Sequence, residues 1–179
     1  ASDIENDPIL LILSADHKIE NIESFKKSIE EGLIFAEQGR LVTFGIQPNT
    51  PETDYGYIES ETEISDKVKS SNVKRFIEKP TKDIAKKFID NKNFSWNSGI
   101  FLFKASTILN ELLKFEPDII DICKKSLKNN SLDLNFRRID REFFKSCPSK
   151  SIDVAVMEKT DIGTVIKLDA GWDDLGSWK

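Results

Sequence analysis

Apolar residues along this chain recur with two different periods, and the alternation between them outlines a fold. Ile9-Leu10-Leu11-Ile12-Leu13 is an unbroken apolar run that stops at Ser14-Ala15-Asp16-His17. A run this short, bounded by polar residues, predicts a strand buried on both faces, as in a parallel sheet. Over residues 21–38 the period changes. Ile22, Phe25, Ile29 and Leu33 fall three and four apart among lysines and glutamates, and Gly39 stands where a C-cap belongs, so an amphipathic helix is predicted. Leu41-Val42-Thr43-Phe44-Gly45-Ile46 predicts a second buried strand. Strand, helix and strand make a βαβ unit, whose crossover is expected to be right-handed.

The remaining pattern is mixed. Residues 47–54, with Pro48 and Pro51, read as a loop. Residues 55–59 and 73–78 alternate apolar and polar and predict a hairpin. Gly56, inside the first of these strands, marks a bulge or a close backbone approach. Lys79-Pro80 ends the second strand, and Thr81 is positioned to cap a short helix carrying Ile84, Ala85, Phe88 and Ile89. Ile100-Phe101-Leu102-Phe103 reads as a buried strand entered through a turn at Trp96-Asn97-Ser98-Gly99. Helices are predicted over 106–114 and 117–127, separated at Pro117. A polar surface connection over 128–135 leads to a short helix over 137–144. Ser151 is expected to cap a helix running to residue 159, and residues 163–168 form a last strand. The sum is an α/β fold, a mixed and mostly parallel sheet flanked by helices.

Composition narrows the classes of function. A chain of 179 residues buries a real core as one domain or most of one. The net charge of −5, with acids and bases interspersed, argues against nucleic acid or an anionic membrane as the main partner. No apolar run approaches the roughly 18 residues that span a bilayer. Cys123 and Cys147 have no metal or redox spacing and read as free thiols of a cytoplasmic protein. His17 is the single histidine, so a serine-histidine-aspartate triad or a histidine-based metal site would have to be built around it alone.

Candidate chemistry comes from acids that follow strands. In open α/β sheets ligands bind at the carboxyl ends of the strands, where Asp16 falls. Near the other end of the chain, Asp173-Asp174 also follows a predicted strand. Each feature alone has a plain structural reading: Asp16 as a turn former, Glu78-Lys79 as a surface charge pair, Asn97-Ser98-Gly99 as turn chemistry, and Trp96, Trp172 and Trp178 as packing. Together they suggest more. Two carboxylates with substrate phosphates are a common way to hold Mg²⁺. Lys79 supplies a point charge for a phosphate, while Glu78 and Asn97 offer hydrogen bonds to hydroxyls. The set points to a metal and a phosphorylated, hydroxyl-rich ligand.

These residues sit in motifs that resemble the sugar-1-phosphate nucleotidyltransferases, and among them the bacterial mannose-1-phosphate guanylyltransferases. The motifs, in order, are Ser14-Ala15-Asp16-His17, Thr43-Phe44-Gly45-Ile46 with Pro48 and Pro51-Glu52-Thr53, Tyr55-Gly56-Tyr57-Ile58-Glu59, and Phe76-Ile77-Glu78-Lys79-Pro80. Then follow Trp96-Asn97-Ser98-Gly99-Ile100-Phe101, residues 151–159, and Trp172-Asp173-Asp174-Leu175-Gly176-Ser177-Trp178. The resemblance implies a Rossmann-like nucleotidyltransferase fold and the conversion of GTP and mannose 1-phosphate to GDP-mannose and pyrophosphate. It implies Asp16 and Asp174 as ligands of Mg²⁺, so that Asp174 is chosen over Asp173. It implies Glu78 and Lys79 as sugar and phosphate contacts, Gly56 and Tyr57 in the substrate-binding set, and Asn97 near the sugar hydroxyls. Catalytic weight falls on Asp16, Lys79 and Asp174.

The chain also departs from the family pattern. No glycine precedes Gly32, so the family's glycine-rich phosphate loop has no counterpart before Ile9. The chain is therefore expected to be an internal fragment, residues 1–179 forming part of a nucleotidyltransferase domain with little turnover by itself. Asp54 stands where glycine is common, and Val154 where tyrosine is common. Other readings stay open: a non-catalytic sugar-phosphate-binding relative, another sugar-1-phosphate nucleotidyltransferase and, from the carboxylates alone, a metal-dependent phosphohydrolase. A homo-oligomer of the longer protein stays open as well.

Overall fold

The computed structural model describes residues 7–128, 131–133 and 136–176. In chain order its strands are β1 (Ile9–Ile12), β2 (His17–Ile19), β3 (Leu41–Ile46), β4 (Tyr57–Ser60), β5 (Ser70–Ile77), β6 (Phe94–Lys104), β7 (Ser131–Asp133), β8 (Phe136–Arg138), β9 (Gly163–Lys167) and β10 (Trp172–Asp174). The helices are α1 (Ile22–Glu37), α2 (Lys82–Ile89), α3 (Ala105–Phe115), α4 (Pro117–Lys128) and α5 (Arg141–Lys145), with a π-helical turn at Asp153–Met157. They fall into two compact units, one drawn from Ala1–Thr107 and Thr160–Lys179, the other from Ile108–Lys159.

The first unit is built on a six-stranded mixed sheet of order β1-β6-β3-β9-β5-β4. Its core follows the predicted pattern. Asn21 caps α1 by accepting a hydrogen bond from the Ser24 N–H (3.0 Å), and Gly39 closes the helix at φ 79°. Phe25, Ile29 and Leu33 of α1 pack on Val42, Phe44, Ile100, Leu102 and Ile166 of the sheet. A side chain fully removed from water, as Phe44 is, contributes about 1.5–3 kcal/mol, and the partly buried α1 residues contribute less. A second cluster, Tyr57, Ala85, Phe88, Phe94 and Trp96, seats α2 against β4 and the first half of β6.

Two expectations about this sheet are corrected. It is mixed but not mostly parallel: β3 and β9 run parallel, and its other pairings are antiparallel. Nor is β1 buried on both faces within this chain: it pairs with β6 alone, antiparallel, and Leu11, Ile12 and Leu13 are exposed. Because β1 and β3 are both antiparallel to β6, they run the same way with β6 inserted between them.

The expected turn at Trp96-Asn97-Ser98-Gly99 is instead part of β6, an eleven-residue strand. Gly99 makes this possible. Its φ of 69° lets the strand bulge, and the register against β3 jumps from Thr43↔Phe101 to Gly45↔Asn97. The opposite edge of β6 is shared. β1 pairs with Phe101–Lys104 there, and β4 pairs with Phe94–Trp96. Residues 97–100 lie between the two. The pairings also close on themselves, running from β6 through β3, β9, β5 and β4 back to β6.

Smaller differences have local causes. Thr81 does precede α2, but its side chain makes no capping hydrogen bond. The predicted connection over 128–135 contains β7, which pairs with β8 in a hairpin, and the helix expected over 137–144 is reduced to α5, started by Asp140. Asp140 accepts from the Glu142 and Phe143 N–H groups, a stronger start signal than the apolar spacing upstream. The helix expected from Ser151 is a single wide turn.

In the second unit α3 and α4 meet at Glu116 and Pro117. Glu116 is 8% exposed and accepts from Lys150 (2.8 and 2.7 Å) and Lys159 (2.6 Å). Hydrogen bonds from Lys150, then Lys159, hold its carboxyl below the usual carboxylate range. A carboxyl lowered on folding stabilises the native state above its unfolded pKa of about 4.3 and loses that contribution as pH falls through the folded value. Glu116→Gln is therefore expected to lower the urea midpoint at about pH 6.5, and the difference from the parent protein should shrink towards about pH 3.5. A pH-independent difference would contradict the assignment.

Candidate functional site

The site is assembled by a short ladder outside the main sheet. β10 pairs antiparallel with β2, setting Asp174 opposite His17, Asp173 opposite Lys18 and Trp172 opposite Ile19. The Leu175 N–H donates to the Asp16 carbonyl (3.0 Å), extending the ladder by one step. Carboxylate oxygens of Asp16 and Asp174 and a ring nitrogen of His17 lie within 4.8 Å of one another. Alternation along β10 turns Asp173 to the face of Lys18, away from this cluster, which is the physical reason that Asp174 is the acid paired with Asp16.

Gly176 belongs to the same cluster. Its N–H donates to Asp174 Oδ1 (2.8 Å). A Cβ at this position would stand 2.9 Å from Asp174 Oδ1 and 3.2 Å from Asp16 Oδ2, so only glycine leaves both carboxylates in place. Two oxygen donors this close, partly open to solvent, fit a hard divalent cation that keeps some of its waters. His17 does not fit as a third ligand. Its Nδ1 accepts a hydrogen bond from Trp172 Nε1 (3.2 Å), and with Nδ1 accepting, the ring's own proton sits on Nε2. Neither nitrogen then offers a metal a lone pair.

A second cluster gathers around Gly56. A Cβ on Gly56 would meet Glu78 Oε2 at 2.8 Å and Asn97 Cβ at 3.4 Å. The predicted close backbone approach at Gly56 is therefore real, and it is Glu78 and Asn97 that approach. The Asn97 N–H donates to the Gly56 carbonyl (2.8 Å), while Asn97 Oδ1 accepts from Thr43 Oγ1 (3.0 Å) and the Gly99 N–H (3.2 Å), fixing the orientation of its carboxamide. Lys79 follows, exposed, with φ 44° immediately before Pro80. A left-handed residue before proline is strained by roughly 1–3 kcal/mol, and such strain concentrates at functional positions.

The side chain of Tyr57 turns into the core. It is wholly buried, tilted against Phe88, and its hydroxyl donates to the Glu52 carbonyl (2.9 Å). Alternation along β4 turns this ring into the core, so only its backbone remains near Gly56. Tyr55 opens the same motif but was not among the candidate site residues. Its ring meets Trp96 (5.3 Å) and Trp172 (5.4 Å) edge-on and joins the two clusters. Burial, and then the nearby charges of Asp174, Glu52, Asp173 and Asp54, hold its phenol above the ordinary value. The aromatic flank of Asp174 was the only sequence sign of this bridge. Ser177 and Trp178 lie outside the described residues. A cleft of about 360 Å³ opens at the carboxyl ends of the parallel pair β3 and β9, lined by Ile46, Gln47 and residues 167–172, and it shares Trp172 with the carboxylate cluster.

The fold and site define an α/β domain with a mixed sheet and a pair of neighbouring carboxylates. A family model described as "Nucleotidyl transferase" matches residues 2–179, and the chain belongs to that family. It is 45% identical over 177 residues to a mannose-1-phosphate guanylyltransferase of Escherichia coli K12, covering 97% of this chain and 37% of that protein. A solved structure described as mannose-6-phosphate isomerase from Helicobacter pylori superposes with a TM-score of 0.84 at 31% identity, over 96% of this chain and 66% of that one. Another, described as mannose-1-phosphate geranyltransferase from Thermus thermophilus, gives 0.80 at 31% identity, over 95% and 47%. The chain spans about 37% of the length of the curated relatives it matches.

Gly176→Ala tests the carboxylate geometry directly. The added methyl should displace Asp174 or Asp16 and weaken Mn²⁺ binding, read by electron paramagnetic resonance, by about tenfold, with little change in melting temperature because the position is exposed. Unchanged Mn²⁺ affinity would show that the two carboxylates do not act together.

Proposed function

We propose that this chain forms the sugar-phosphate side and the metal-binding carboxylates of a mannose-1-phosphate guanylyltransferase. The reaction joins mannose 1-phosphate and GTP to give GDP-mannose and pyrophosphate. One observation carries the reading: the β2–β10 ladder brings Asp16 and Asp174 together, while Glu78 and Asn97 converge on Gly56. Membership of the nucleotidyl transferase family and the 45%-identical relative named for this activity support it.

The chemistry needs little from the protein beyond placement. A phosphate oxygen of the sugar phosphate forms a bond to the α-phosphorus of GTP, and the bond from that phosphorus to the bridging oxygen breaks, releasing pyrophosphate. The attacking oxygen is already ionised, so no general base is required, in keeping with a site whose one histidine is engaged with Trp172. Asp16 and Asp174 would hold Mg²⁺, which supplies neutralisation of the phosphate charge when bound. Lys79, which no carboxylate pairs with among the described residues, meets the sugar phosphate as a point charge. Glu78 accepts hydrogen bonds from sugar hydroxyls, and Asn97, held by Thr43 and Gly99, presents a fixed carboxamide to the same ring. These residues act by positioning and by charge, which are the main sources of rate in phosphoryl and nucleotidyl transfer.

The test uses the complete protein that carries this sequence, a panel of nucleoside triphosphates and sugar phosphates, and detection of released pyrophosphate. Release is expected from GTP only when mannose 1-phosphate is present. Asp174→Asn should reduce it by at least about 100-fold with an unchanged melting temperature, and Lys79→Gln should act mainly on the KM for mannose 1-phosphate. Inorganic phosphate in place of pyrophosphate would favour a phosphohydrolase. Turnover with a different base or sugar would move the protein to another nucleotidyltransferase, and near-normal activity of Asp174→Asn would overturn the site.

A further inference from the structure

The carboxylate pair raises a mechanical problem. Asp16 and Asp174 carry like charges, and oxygens within 4.8 Å repel one another until a cation joins them. The ladder that holds them is three residues on each strand, and a two-stranded ribbon of that length is marginal by itself. Asp16 itself sits in an exposed turn before β2. Backbone bonds at both ends, Leu175 N–H to the Asp16 carbonyl and Glu20 N–H to the Ala170 carbonyl, extend the ladder, and a side-chain tie across it would hold the two acids more firmly in register.

The side-chain tie between His17 and Trp172 is suited to that task. His17 stands opposite Asp174, and Trp172 is its diagonal neighbour on the same face of the ladder, within reach of a long aromatic side chain. The indole meets the imidazole edge-on, ring centres 5.1 Å apart, and donates its N–H to Nδ1 at 3.2 Å. The imidazole is boxed on another side as well: a Cβ at Gly99 would stand 3.3 Å from His17 Cε1. Trp172 in turn packs partly into the main core cluster and against Tyr55. One hydrogen bond thus connects the residue after Asp16 to the residue two before Asp174, with the β6 bulge as a backstop.

We infer that His17 is a positioning residue, holding the Asp16–Asp174 pair in metal-binding register by accepting the Trp172 indole N–H. The inference rests on the reading of Asp16 and Asp174 as the metal ligands. It assigns His17 no proton transfer and no place in the first coordination sphere. Groups that orient metal ligands in this way are typically worth 10–100-fold in metal affinity.

The chemistry of substitution separates the tie from simple packing. Asparagine Oδ1 is attached to Cγ, as histidine Nδ1 is, and can accept the same indole N–H. Phenylalanine keeps the ring volume and removes the acceptor. The experiment is a Mn²⁺ titration of the complete, nucleotide-free protein by electron paramagnetic resonance, with Mg²⁺-dependent pyrophosphate release as a second readout. His17→Phe is expected to weaken Mn²⁺ binding by about tenfold or more and to raise the half-saturating Mg²⁺ concentration by a similar factor. His17→Asn should return both towards the parent values. Trp172→Phe should resemble His17→Phe, and the double variant should be no weaker than either single one, because both remove the same bond.

Three outcomes overturn the inference: parent-like Mn²⁺ affinity in His17→Phe, equal weakening in His17→Asn and His17→Phe, or additive losses in the double variant. If His17→Phe fails to fold, His17→Asn and Trp172→Phe still decide between them. Asp174→Asn serves as the reference. Loss of Mn²⁺ binding there with parent-like binding in His17→Phe removes the positioning role alone, whereas parent-like binding in Asp174→Asn removes the metal-site reading beneath it.

Discussion

Backbone pairing between β2 and β10 is the constraint on which the rest of the site depends. The two strands lie far apart in the chain, and nothing local forces them together. Their ladder sets Asp174 opposite His17 and leaves the Leu175 N–H to bind the Asp16 carbonyl. Closing so large a loop has an entropic cost that three residue pairs do not offset alone. The cost is met by the main sheet. β9 leads directly towards β10 and is held parallel to β3, while the Ser24 hydroxyl and the Glu20 and Asn21 N–H groups bind carbonyls of Asp169, Ala170 and Gly171. The N-terminus of α1 therefore docks onto the segment before β10 and delivers it to β2.

The gap between β1 and β4 along one edge of β6 is a second consequence of sheet architecture. β6 is long enough to serve two partners on one edge, and the bulge at Gly99 lies where β1 gives way to β4. The chain leaving β1 carries Asp16, and the chain entering β4 carries Gly56. Asn97, in β6 itself, hydrogen-bonds to the Gly56 backbone and keeps that side narrow. Carboxylates collect on one side, the proposed sugar-contacting groups on the other, and Tyr55 with Trp172 and Trp96 spans the distance with rigid aromatic surface. Such an arrangement is suited to a reaction in which placement and charge neutralisation supply most of the rate.

Much of this was legible before any coordinates. α1, β3, the β4–β5 hairpin, α3, α4 and β9 follow from apolar periodicity and from breakers such as Gly39 and Pro117, because these are short-range effects of propensity and burial. Asp16, Asp174, Glu78, Lys79 and Asn97 were legible as candidates only as a set and through the family motifs, since each alone reads equally well as turn chemistry or a surface charge. Gly56 was legible as a point of close approach, though what approached it was not. The inward turn of the Tyr57 side chain was not legible, because adjacent residues of a strand face opposite sides, and a motif names both without saying which side meets the ligand.

What the sequence determined by itself is the set of parts: the periods that make the elements, the glycines that permit a bulge and a tight acid pair, and the side chains with the right chemistry. What only the tertiary structure decided is which parts meet. The passage of β6 through Asn97-Ser98-Gly99 and the engagement of His17 by Trp172 both depend on pairing between distant segments. Periodicity in one segment carries no information about the register it will take against another. That register is set by the lowest free energy of the whole sheet and its helices, and it turns the acid after the first apolar run into half of a candidate metal site.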